Sequence, residues 1–161
     1  MIEQTTRKSP DTDQLDSFDN RIVAALVADG RLAVAELARR INLSKTATLH
    51  RLRRLERDGF IRGYRAVIDH NRLGRPHVAF VEVKLSDTRA AALAAFNKAV
   101  RQLPEVEECH MIASSFDYLL KVRTADITDY RAVLGEKISA LPHVAQTSTH
   151  VSMEAVKDDS L

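Results

Sequence analysis

One cysteine, Cys109, stands in 161 residues, which excludes an intrachain disulfide and any zinc site assembled from several cysteines. On a strand, such a residue reads as a small apolar side chain. Glycine is nearly as scarce, at five, and no glycine pattern forms a phosphate loop or a nucleophile elbow. The six histidines, His50, His70, His77, His110, His143 and His150, show no metal-ligand spacing on a single helix. No apolar run approaches the roughly 18 residues of a membrane span. The polar opening MIEQTTRKSPDTDQ also lacks a signal peptide's apolar core. These absences lead to the expectation of a cytoplasmic protein that is not an enzyme, holds no cofactor or metal and does not enter a membrane.

What is present is an uneven distribution of charge. The net charge of +2 conceals a segment, residues 31–75, with twelve Lys or Arg against four acids, a local excess of eight; the remainder of the chain stands at −6. A basic module is joined to an acidic one, and only the basic one suits a polyanion.

Within the basic module, Phe18, Ile22, Ala25 and Leu26 repeat at three and four residues and predict a helix from Asp16 or Ser17 to Ala28, stopped by Asp29-Gly30. A second helix is expected at Val34–Ile41, followed by a tight turn at Asn42. The third is SKTATLHRLRRLERD, Ser44 to Asp58. Ser44 is placed to cap its first turn, and Leu49, Leu52 and Leu55 offer a packing stripe. Its first turn carries hydroxyls and a lysine and no acid, which opposes the helix dipole but suits phosphates and base edges. Three short helices with brief turns have helix-turn-helix spacing, although a plain three-helix bundle with a solvated basic face has it too. FIRGYRAVID, after Gly59, alternates apolar residues with arginines as a strand or wing would.

The second half follows a different pattern. NRLGRP, at 71–76, reads as a linker. Beyond it come a strand (HVAFVEVKL), an alanine-rich helix from Thr88 to Leu103, two strands joined by a turn at Ser114 to Asp117, a helix over ITDYRAVLGEKISAL and a last strand (HVAQTSTHVSM). The order βαββαβ is that of a ferredoxin-like sandwich with both helices on one face of the sheet. The opposite face, to which Val78, Phe80, Met111, Leu120 and Val122 are assigned, then needs a second subunit to cover it. The fold class expected is therefore α+β: a flexible arm at 1–14, a winged helix-turn-helix domain at 15–70, the linker at 71–76, a ferredoxin-like domain at 77–156 and a tail at 157–161.

LDSFDNRIVAALVADGRLAVAELARRINLSKTATLHRLRRLERDGFIRGYRAVID, with a ferredoxin-like half after it, resembles the Lrp/AsnC family of feast/famine transcription regulators. The pieces that carry the resemblance are Leu15–Asp19, the DGR at Asp29–Arg31, the ELA at Glu36–Ala38, the RLE at Arg54–Glu56 and the GYRA at Gly63–Ala66. Two features depart from the family's usual pattern. Lys45 and Ala47 replace prolines at the helix entry, and no glycine precedes the Asp117-Tyr118 pair. SKT at 44–46, MIASSFDYLLKVRT and LPHVAQT are similar to the branch that activates proline dehydrogenase genes. The resemblance implies that the first half binds double-stranded DNA. It implies that the second half forms a homodimer, assembles further to a tetramer or octamer and senses a small amino acid between subunits.

On this reading Ser44, Lys45, Thr46, Thr48, His50, Arg51 and Arg54 contact DNA, with Arg53, Arg62 and Arg65 on phosphates. The effector is expected at the turn formed by Met111, Ile112, Ala113, Ser114, Phe116 and Asp117, closed by Thr147, Ser148 and Thr149. Asp117 is there either as a turn residue or as the partner of an ammonium group. Proline is the first candidate and leucine the second. The alternatives are a regulator that binds DNA without an effector, and a ferredoxin-like sensing module without DNA binding.

Overall fold

A computed structural model describes residues 15–157. The arm expected at 1–14 lies outside the described residues, as does the tail beyond 157. The chain divides between Ala66 and Val67 into two units.

In the first unit, helix α1 (Ser17–Ala28) begins at a reciprocal cap. The Asp16 carboxylate accepts from the backbone N–H groups of Phe18 and Asp19, and the Asp19 carboxylate accepts from the N–H of Asp16. Helix α2 (Val34–Ile41) ends at Asn42, whose φ of 62° and ψ of 46° are left-handed, so the chain reverses at once into α3 (Lys45–Arg57). Ile22, Leu37, Ile41 and Leu55 make the core, with Leu26, Leu52 and Ile61 packed against it. The stripe expected from Leu49, Leu52 and Leu55 is only partly realised. Each three-residue step on a helix falls about 60° short of a full turn, so the row drifts off the buried face. Leu49 is half-buried, and Thr48 takes the fully buried place.

Of the strand or wing expected at 60–69, the segment carries no β ladder. Among the described residues the first unit offers no strand for it to pair with. It is held instead by Ile61, whose N–H donates to the Leu55 carbonyl at 3.0 Å, and by Tyr64, whose hydroxyl donates to Glu56 at 2.9 Å. The residues expected as a linker belong to the second unit. Asp69 caps a turn by accepting from Asn71 and Arg72, and the Arg75 guanidinium donates to the Arg123 carbonyl at 3.0 Å.

The second unit runs β1 (His77–Leu85), α4 (Ala90–Val100), β2 (Val106–Met111), β3 (Tyr118–Thr124), α5 (Ile127–Ala132) and β4 (Val144–Val151). The helix expected to run on from Ile127 changes at Val133–Ile138 to a wider π-helical turn. The strands form one antiparallel sheet in the order β2-β3-β1-β4. Alternation puts Ala79, Val81, Val83 and Leu85 of β1 on the face that packs with Phe96, Val100, Tyr130 and Ile138. Register adds Tyr118, Leu120 and Val122 to that same core.

This corrects the expected composition of the opposite face. Leu120 and Val122 are core residues, and Met111, paired with Tyr118, alternates to the core side as well. The face away from the helices carries Val78, Phe80 and Leu119 among Glu82, Lys84, Lys121, Arg123, Glu108, His110, Ser148 and His150. It is mixed rather than apolar.

Candidate functional site

Ser44 has extended backbone and its hydroxyl accepts from the Ala47 N–H at 3.2 Å, which starts α3. No acid lies in the first turn of that helix. Lys45, Thr46, His50 and Arg53 are exposed, as are Arg62 and Arg65 on the segment that follows. Lys45, Arg53, Arg62 and Arg65 form no ion pair with a described residue, so their ammonium and guanidinium groups are open to an anion. Tyr64 joins that segment to the helix. Burial, then its bond to Glu56, pushes the phenol up to about 12, so it stays a donor at any physiological pH.

Three residues expected at the DNA surface stand differently. Thr48 is fully buried, and its hydroxyl donates back to the Ser44 carbonyl at 2.9 Å; it shapes the helix entry and presents nothing to a groove. Arg51 and Arg54 are engaged. Arg51 donates through Nη1 to Asp16 at 2.6 Å and to Asp19 at 2.9 Å, and its guanidinium lies 5.4 Å from the centre of the Phe18 ring. Arg54 pairs with the other Asp19 oxygen. Asp19 is wholly buried, whereas Arg51 and Arg54 keep 27% and 29% of their side chains exposed. Two half-buried cations thus neutralise a buried carboxylate, and neither is a freely swinging arm. They still border a concavity of about 570 Å³ with Asp16, Ser44, Thr46, Ala47 and His50.

The effector residues are also redistributed. Asp117 does not offer a free carboxylate: one oxygen accepts from the Leu85 N–H at 2.8 Å and the other from Lys84 Nζ at 3.3 Å. Its own N–H donates to Val83, and its carbonyl accepts from the Ile112 N–H at 2.9 Å. Asp117 therefore ties the β2–β3 hairpin to β1, as a turn residue does. Met111, Ala113 and Ser114 are exposed beside it, with Ile112 and Phe116 half-buried. Thr147, Ser148 and Thr149 cannot all face one ligand, because neighbours on a strand alternate. Thr149 meets the Tyr130 hydroxyl at 2.5 Å on the helix side, and Ser148 opposes Glu82 on the other face.

Sequence reasoning missed Asp19 as the counter-ion of α3. The signal was present as an acid three residues after the capping Asp16, a capping-box spacing. It also missed a cluster on the second unit, where Glu107 pairs with Arg123 and lies 3.7 Å from Lys121 and 3.8 Å from His70. Among the described residues no group of three His, Cys, Asp or Glu is arranged to hold a metal. Burial pushes the Cys109 thiol up, the state of an unreactive strand residue.

Comparison with known proteins covers both units. Residues 15–62 match the winged helix-turn-helix DNA-binding family, and residues 78–161 match the Lrp/AsnC ligand binding domain. A proline dehydrogenase transcriptional activator of Rhizobium radiobacter is 59% identical over 150 residues, 93% of this chain and 96% of that one. The leucine-responsive regulatory protein of Escherichia coli is 43% identical over 155 residues, 96% of this chain and 94% of that one. Among solved structures, a Neisseria meningitidis transcriptional regulator in complex with L-methionine superposes with a TM-score of 0.85 at 28% identity, over 89% of this chain and 93% of that one.

Proposed function

The chain belongs to the Lrp/AsnC family of DNA-binding transcription regulators, and on that premise we propose that it controls genes of amino-acid metabolism as a homodimer or larger assembly, in response to a small amino acid, with proline the first candidate. The observation that carries this reading is the head of α3, where Ser44, Lys45, Thr46, His50 and Arg53 are exposed with no acid in the first turn. Hydroxyl and imidazole groups there suit base edges, and Lys45, Arg53, Arg62 and Arg65 suit phosphates. Arg51 and Arg54 flank this surface from their pairing with Asp19 and act at its margin.

The mixed face of the sheet supports association with a second copy. Val78, Phe80 and Leu119 supply apolar contact, while Glu82 and Glu108 with Lys84, Lys121 and Arg123 supply charges of both signs for a twofold-related face to answer. Two α3 helices related by such a dyad suit half-sites about 34 Å apart.

The effector is assigned to the hairpin end, where Met111, Ile112, Ala113, Ser114 and Phe116 offer apolar walls and turn backbone, with Asp117 holding the turn in place. Proline is favoured because the Rhizobium radiobacter relative is a proline dehydrogenase activator, and leucine follows from the Escherichia coli relative. The test is calorimetry of the full chain with each of the twenty amino acids, followed by DNA binding with and without any that gives heat. Proline heat and a shifted DNA affinity are expected. An absence of heat from all twenty would leave the second reading, a constitutive DNA-binding regulator, which the engagement of Asp117 with Leu85 and Lys84 favours.

A further inference from the structure

Asp16 divides its carboxylate between two tasks. Its Oδ1 atom accepts from the backbone N–H groups of Phe18 and Asp19, at 2.8 and 2.9 Å, and so caps α1. Its Oδ2 atom meets Arg51 Nη1 at 2.6 Å. The same nitrogen is anchored a second time, at 2.9 Å, by Asp19, which is fully buried and also holds Arg54. Arg51 would therefore keep its position if Asp16 let go. Asp16 is 48% exposed and, among the described residues, is the only acid bordering the concavity formed by Ser44, Thr46, Ala47, His50, Arg51 and Arg54. A negative oxygen here sits on a half-buried arginine at the margin of a DNA-reading helix, where a phosphate oxygen would make the same contact.

We propose that Asp16 is an internal competitor for DNA phosphate at Arg51. In free protein it occupies the guanidinium; on DNA a phosphate oxygen takes its place while Asp19 holds the arginine still. This makes Arg51 a conditional contact. On a poorly matched sequence, where α3 does not seat fully, Asp16 keeps the arginine, and the electrostatic affinity common to all DNA is reduced. The role of Asp16 is thus to widen the gap between cognate and non-cognate binding. The inference rests on α3 being the recognition helix.

The test uses the full-length protein with Asp16→Asn, which keeps a side-chain oxygen for the α1 cap but removes the charge facing Arg51. Binding to a selected cognate duplex and to a scrambled duplex is measured by fluorescence anisotropy from low to moderate salt. Non-cognate affinity should rise about three- to tenfold, as for one ion pair released from competition. On the scrambled duplex the log-log salt slope should steepen by up to about 0.9, because Arg51, released from Asp16, adds one phosphate contact. Asp16→Ser, a second capping residue without charge, should behave alike. Arg51→Gln in the Asp16→Asn background should cancel the gain. Unchanged non-cognate affinity and slope in both Asp16 variants, with wild-type DNA binding intact, would overturn the inference and leave Asp16 a helix cap. Failure of the wild-type protein to bind any duplex would instead refute α3 as the recognition helix.

Discussion

Removing both Arg51 and Arg54 should injure the fold more than removing the acid they share. Asp19 is wholly buried and accepts from both arginines and from the Asp16 N–H. Arg51→Ala with Arg54→Ala leaves that carboxylate one backbone donor. Breaking a buried pair from one side costs about 3–5 kcal/mol, and the lower end applies because water can enter where the arginines stood. A unit of this size holds roughly 3–8 kcal/mol in total, so the double variant should lie near its own unfolding midpoint. Asp19→Ala is milder. It removes half of the capping box, about 1 kcal/mol, and the freed guanidiniums, already a quarter exposed, can turn to solvent. Combining all three substitutions should then recover stability relative to the arginine pair alone. Urea denaturation of the full chain, followed by far-ultraviolet circular dichroism and by hydrogen exchange of the α3 amides, gives the cycle. If the triple variant were no more stable than the double one, the arginines would not be serving Asp19.

On the sheet, Val122→Asp buries an unpaired carboxylate in the core and should destabilise the second unit by several kcal/mol, on the order of a broken buried pair, whereas Phe80→Asp should spare the fold and dissociate the proposed dimer; light scattering and thermal denaturation separate the two. Tyr64→Phe should loosen the segment after α3 by about 1 kcal/mol, read as faster amide exchange at Ile61. Asp16 is held down to about 2 by the Asp19 N–H and then by Arg51, and Glu36 to about 2 by Arg39 and then Arg40. Both lie below their ordinary values of 3.8 and 4.5, so their stabilisation is complete above about pH 5 and fades as pH falls towards 2. Acid titration followed by circular dichroism should show a later onset of loss in Asp16→Asn with Glu36→Gln than in wild type relative to each protein's neutral stability; superimposable curves would contradict the assignment.

The elements were legible because the periods are clean. β1 spans HVAFVEVKL from end to end, and Asn42 takes the left-handed turn its short polar side chain tolerates. What alternation alone could not supply was which face is inward. Leu120 and Val122 are apolar on a strand whose other face carries Leu119, Lys121 and Arg123, and only pairing with β1 decides the matter. The exposure of Ser44, Lys45, Thr46, His50 and Arg53, on which the proposed DNA surface rests, was legible from the polar face of the α3 segment. Thr48 could have been placed from the helical angle it shares with Leu55, seven residues on. The engagement of Arg51 and Arg54 was not legible from their own segment, because the partners lie more than thirty residues upstream. Asp117 was legible as the acid of the turn, but its bonds to the Leu85 N–H and Lys84 were not, a pairing that depends on how the hairpin closes on β1.

The central claim is that the head of α3 reads DNA sequence and that a twofold assembly presents it twice. Selection of bound fragments from random duplex DNA, with wild type and with Lys45→Ala/Arg53→Ala in parallel, tests it most directly. The account predicts enrichment by wild type of an inverted repeat with half-site centres about one helical turn apart, or a multiple of it, and loss of that enrichment in the variant. Equal retention of all sequences by wild type, or an unchanged enriched site in the variant, would contradict it.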